Sequence, residues 1–301
     1  MGEAWFMAKK RKMHTRLMTE AISACDLEYL GHVLGEITSG TSSFGHLEEW
    51  DTWFRYLLPE LVIRGHEEHA FDRLLEHTVS AFMQVYWTGV PPEYPEFRQD
   101  ALDSVPISLM HPALWSANPG SPSDPTKSIP TFLMREHNGR LFVEWYGVRR
   151  AQPDLSAALF FCLKYLPHDE MPSWVNSLLS IEHPYWKAAL LVWLAGAQPL
   201  LTATAPVAPS LVGSISGIGW ENSHALGSPP SADGDNSWAG YNENSRFLDA
   251  TSTGAFWEEI RSHFADGLLV TWESELWSDP RLAQIPGLTE LLDQIARDMA
   301  A

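Results

Sequence analysis

The stretch RGHEEHAFDRLLEH, residues 64–77, gathers three histidines, three glutamates and an aspartate into fourteen residues. Imidazole nitrogen and carboxylate oxygen are ordinary zinc ligands, so the stretch raises a metal centre first. Spacing decides which metal chemistry is open. A zinc protease helix needs His-Glu-x-x-His, which sets two imidazoles at i and i+4 with the glutamate as base. Here His66 and His69 stand three apart, with Glu67 and Glu68 between them. A di-iron bundle needs Glu-x-x-His, and no histidine of this stretch has a glutamate three residues before it.

What survives is a weaker pattern. On a continuous helix turning about 100° per residue, with His66 at 0°, His69 falls at about −60°, Glu76 at about −80° and His77 at about 20°. Ala70, Phe71, Leu74, Phe82 and Val85 centre on the adjoining face, near about 100°. The expectation is therefore a solvated flank beside an apolar stripe. The alternative is a zinc site on His66, His69 and Glu76 completed by a ligand from elsewhere in the chain, in a metal-binding protein or metal-dependent hydrolase.

Other stretches approach a motif and miss it. Asp233, Asp235 and Ser237 mimic the first ligands of a calcium loop, but Trp238 stands where the turn needs Gly and Asn244 where a bidentate Glu is wanted. GSISGIG, residues 213–219, is neither Gly-x-Ser-x-Gly, with Ile215 at its centre, nor Gly-x-Gly-x-x-Gly, with Asn222 at the last position. Cys25 and Cys162 sit singly among apolar neighbours and read as small core residues of a reducing compartment. No cofactor is expected, zinc being the alternative.

Helices must carry most of these residues. Apolar residues recur at three- and four-residue steps over 15–37, ending at TSGTSSFG. A second helix begins at HLEEWDTWF and ends or kinks at Pro59. A third runs through 64–87 without a break. Helices follow from Asp154, read as an N-cap, then in MPSWVNSLLSI and PYWKAALLVWLAGA, then near 254–265, 267–277 and 286–299. Asn138-Gly139 between alternating apolar residues predicts a small β-hairpin at 131–146.

Residues 188–220 carry no charge, but the dense apolar part ends near Pro199, short of the about 20 residues a membrane span needs. WFRYLLPEL and FFCLKYLPHDEM share a Tyr-Leu-Pro pattern, with Tyr56 and Tyr165 109 residues apart (165 − 56). That favours packed helical pairs. The fold class is mainly all-α, an irregular helical bundle or α-α superhelical array, in one domain over 1–301. A basic tail occupies 1–14, and a Pro-, Gly- and Ser-rich irregular segment occupies 206–254.

Charge bears on function. The chain has 20 basic and 38 acidic residues, net −18, with +4 concentrated in residues 1–16 and −22 elsewhere. Such a body repels phosphate backbones, which disfavours nucleic acid, and no membrane partner is expected. Fourteen tryptophans supply core anchors and contact residues. The expected function is a non-enzymatic cytosolic binding protein of inhibitor, immunity or adaptor type that recognises a basic protein. Trp220, Trp238 and Tyr241 are the expected partner-binding residues.

Overall fold

The computed structural model describes residues 3–6, 9–12, 14–43, 47–68, 74–86, 89–90, 95–109, 131–137, 140–146, 151–204, 248–280, 282–284 and 287–300. Its architecture is all-α. Ten helices follow in order among the described residues: α1 (Leu27–Ser43), α2 (Leu47–Glu68), α3 (Leu74–Val85), α4 (Phe97–Leu109), α5 (Ala151–Tyr165), α6 (Met171–Leu179), α7 (Pro184–Leu201), α8 (Ala250–Ala265), α9 (Leu268–Ser278) and α10 (Leu288–Ala300). Backbone pairing also runs between Glu3–Phe6 and Lys9–Lys12, and between Thr131–His137 and Arg140–Tyr146. No side chain of these four segments is described, and the hairpin foreseen at 131–146 remains an expectation.

Local chemistry moved several boundaries. The helix expected over 15–37 is replaced at its start by two 3-10 turns, Thr15–Met18 and Ile22–Ala24. The α-helix begins only after Asp26, whose carboxylate accepts from the Tyr29 N–H at 2.7 Å. That bond satisfies an otherwise orphaned donor of the first turn and holds the Asp26 carboxyl below its usual range. At the other end, Thr38–Ser43 continue α1 instead of ending it, because propensity is a weak prior that tertiary context overrides. Pro59 neither ends nor breaks α2. It lies on the exposed side of the helix, where water can satisfy the carbonyl that its missing N–H leaves open.

Asp154 is not an N-cap, because α5 already starts at Ala151. Pro153 falls in the first turn, where no intrahelical N–H donor is needed. Helix α4 was not foreseen; Phe97 and Leu102 bury its inner face, with Ala101 half-buried between them. Helix α7 continues two residues past Pro199, and no described helix is long and apolar enough to cross a membrane. The irregular segment expected at 206–254 lies outside the described residues up to 247. From Ala250 onward it is helical, capped by Asp249, which accepts from the Thr251 N–H at 3.0 Å.

The buried apolar side chains, from Leu17 to Ile295, form one cluster. Two aromatic assemblies organise it. In the first, Phe82 of α3 packs edge-on to Phe161 and Tyr165 of α5 at 5.1 and 5.5 Å between ring centroids. The Tyr165 hydroxyl donates to the Tyr86 carbonyl at 3.0 Å, so the C-terminal turns of α3 and α5 lie side by side. Helix α4 joins them: Phe97 stacks on Phe82, and Arg98 donates to the Tyr165 carbonyl at 3.4 Å.

In the second assembly, Phe256 of α8 meets Trp174 of α6 at 5.4 Å and Trp193 of α7 at 6.1 Å. Trp193 also touches Phe160 of α5 at 5.3 Å, which ties the two assemblies together. Trp186 is fully buried with its indole N–H given to the Leu178 carbonyl at 2.9 Å.

The Tyr-Leu-Pro resemblance between 53–61 and 160–171 does not mark one recurring structural unit. The first copy runs through the interior of α2, whereas the second leaves its helix after Tyr165. What recurs instead is Phe-x-x-x-Tyr. Phe82 of α3 and Tyr86, just past its end, face Phe161 and Tyr165 of α5, each 79 positions on (161 − 82; 165 − 86).

Candidate functional site

The histidine-rich stretch does not form one continuous helix. Helix α2 ends at Glu68 and α3 begins at Leu74, so the angular phase set at His66 does not carry across to Glu76. His66 lies in the last turn of α2, its side chain outside the described residues; His69 lies outside them altogether. Glu76 is placed, and it is not on a solvated flank: it is fully buried in the first turn of α3.

His77 is half-buried against α1, where a Cβ at Gly35 would stand 3.9 Å from its Nε2. Thr78 and Ser80 of α3 and Ser156 of α5 are also buried. Like Glu76 and His77, each is engaged within the protein. Among the described residues, no three His, Cys, Asp or Glu side chains come together as metal ligands.

The two thiols belong to the core. Cys25 and Cys162 are both buried and unbridged. Burial pushes the Cys162 thiol well above its ordinary value, so it stays protonated at neutral pH and offers no thiolate nucleophile.

A different surface stands out at the C-terminal end. From Leu248 to Ala301 the chain has ten acidic residues (Asp249, Glu258, Glu259, Asp266, Glu273, Glu275, Asp279, Glu290, Asp293 and Asp298). Its basic residues there are Arg261, Arg281 and Arg297, for a net of −7 with His neutral (3 − 10). Seven of the acids are exposed: Asp249, Glu258, Asp266, Glu273, Glu275, Glu290 and Asp293. Of the basic groups described in this region, Arg297 is exposed, while Arg261 is occupied. Its Nε donates to the Met299 carbonyl at 3.1 Å and its Nη1 to Glu258 at 3.2 Å.

Helix α9 lies in this acidic surface. Trp272 and Leu276 bury its inner face, with Leu268 and Leu269 half-buried beside them. Lys187 of α7, itself almost fully buried, pairs with Glu275 from beneath and stands 5.6 Å from the centroid of Trp272. The outer face carries Val270, 69% exposed, and Trp277, 39% exposed, with the exposed Ser274 between them. With Val270 at 0°, Ser274 lies at about 40° and Trp277 at about −20°, opposite Trp272 at about 200° and Leu276 at about 240°. Glu273 flanks the stripe at about −60°.

Only two other large apolar side chains among the described residues reach comparable exposure, Met18 and Tyr56. Sequence reasoning pointed to Trp220, Trp238 and Tyr241 as contact residues, all outside the described residues. It passed over Trp277, though the signal was present. Within LLVTWESELWS, Val270 and Trp277 are seven apart, out of phase with the Trp272–Leu276 pair.

Comparison of the chain with protein-family models, with curated proteins and with solved structures finds no match.

Proposed function

We propose that this chain is a non-enzymatic cytosolic binding protein, of inhibitor, immunity or adaptor type, that recognises a basic protein partner. The observation that carries the reading is the exposed acidity of the C-terminal helices: among the described residues from 248 onward, Glu258, Glu273, Glu275, Glu290 and Asp293 on α8, α9 and α10 and Asp249 and Asp266 at the ends of α8 are exposed against Arg297, with Glu258 paired to Arg261 and Glu275 to Lys187. A field of one sign speeds the encounter with an oppositely charged partner and repels nucleic acid and anionic lipid.

The test is affinity capture from the source cell with the intact chain and with a variant carrying Glu258→Gln, Glu273→Gln, Glu290→Gln and Asp293→Asn. The expected result is a basic protein retained near physiological salt, released at several times that salt, and not retained by the variant. A partner held equally by both forms, or a partner of acidic charge, would overturn the proposal.

A further inference from the structure

We infer that the outer stripe of α9 is a docking face for a basic amphipathic helix of the partner. The inference rests on the preceding reading and names the surface and the chemistry that meets it. Val270 and Trp277, the two exposed large apolar side chains of α9, occupy the same pole of the helix, and the flanking charge is negative. Val270 and Trp277 stand two turns apart, about 10 Å along the axis at 1.5 Å per residue. That is the spacing between apolar residues at i and i+7 on a partnering helix, the usual grammar of helix recognition.

Tryptophan supplies the large amphipathic contact area that dominates interface energetics. Glu273 flanks the stripe, and Asp266 stands just before α9, both exposed. Neither arginine nor lysine occurs between Arg261 and Arg281. An acidic or neutral helix would leave these carboxylates without counter-charge at the rim, whereas lysine and arginine beside the apolar anchors would meet them. The face is also held in place: Trp272, Leu276 and the Lys187–Glu275 pair fix α9 to α7 from below. A preorganised surface loses little freedom when a partner seats on it.

The experiment uses the full-length protein and a fluorescently labelled 18-residue helical peptide of leucine and lysine, with leucines on one face. A second peptide keeps the leucines and replaces lysine with glutamate. Affinity is read by fluorescence anisotropy on the wild type, the double variant Val270→Ser/Trp277→Ala, and the control Tyr56→Ala. Tyr56 is exposed on α2. Circular dichroism confirms that each variant keeps its helical signal, as exposed substitutions allow.

The expected outcome is saturable binding of the lysine peptide, weakened about tenfold or more in the double variant and unchanged in Tyr56→Ala, with the glutamate peptide inert. Equal binding by wild type and double variant would overturn this face while leaving the basic-partner reading in place. Absence of binding to the lysine peptide by the wild type would overturn the docking inference. Partner capture that still depended on the acidic residues would then show that the broader reading survives it.

Discussion

Glu76 shows what one residue can conceal. From spacing alone it belongs with His66 and His69 on a polar flank, and the arithmetic is sound for an unbroken helix. Glu68 and Leu74 belong to two separate helices, so one phase does not run through both, and Glu76 is fully buried. The sequence gives no hint of two helices, because residues 69–73 contain neither Gly nor Pro. Cys162 was legible by contrast: its neighbours in FFCLKYL are apolar on both sides, and it is buried. Lys164, two positions on, carries a prediction. Burial lowers its pKa from 10.5 to about 8, since the charged form is the one that loses hydration. In the unfolded chain it keeps its proton until about 10.4. Between those values the unfolded state binds more protons, so this residue makes stability rise with pH from about 8 to 10.4. Lys164→Met removes that contribution. Its stability relative to the wild type, measured by urea unfolding, should be highest near pH 7 and decline steadily above pH 8. A difference independent of pH would refute the assignment.

At the scale of elements, the sequence placed helix interiors better than helix ends. The three C-terminal helices were expected near 254–265, 267–277 and 286–299, and they occupy 250–265, 268–278 and 288–300. Their apolar periodicity is strong, and Gly267 and the Asp279-Pro280 turn punctuate it. The N-terminal helix failed at both ends because Asp26 offered a better cap than Thr15, and because Thr and Ser are tolerated in a packed helix. Proline misled at Pro59, where the cost of a missing donor depends on whether water reaches the orphaned carbonyl, a fact of burial and not of spacing. Gly267 gives the second prediction. It has φ +97°, just past the end of α8, with its N–H donated to the Phe264 carbonyl. A Cβ there would touch nothing within 4 Å, so only backbone strain opposes a side chain. Gly267→Ala should lower stability by about 1–2 kcal/mol, the cost of the left-handed conformation for an L-residue. Gly254 lies inside α8 and is equally unobstructed. Gly254→Ala should be neutral or stabilising, since alanine is the better helix former. Thermal unfolding of the pair, read against each other, separates conformational strain from crowding.

For the whole molecule, an all-α fold was legible because 3.6-residue periodicity recurs through most of the chain. The arrangement of the helices was not, because no sequence rule says that Phe256 will seat between Trp174 and Trp193. Phe256 is fully buried and joins α6, α7 and α8, with Trp193 passing the contact on to α5. Phe256→Ala should therefore cost about 3–5 kcal/mol and broaden the unfolding transition as the two aromatic assemblies lose their common contact. A loss below about 1 kcal/mol with an unchanged transition would show that the assemblies are held together elsewhere. The pairing of α3 with α5 has a consequence during synthesis. Phe82 and Tyr86 leave the ribosome 79 residues ahead of Phe161 and Tyr165. At about 5–20 residues per second, that is roughly 4–16 s during which the aromatic face of α3 lacks its partners on α5. Loop closure over that distance cannot begin sooner, however fast the helices themselves form. The nascent chain in that interval is the form of this protein most exposed to chaperones and to self-association, and slowing translation between residues 87 and 150 would prolong it.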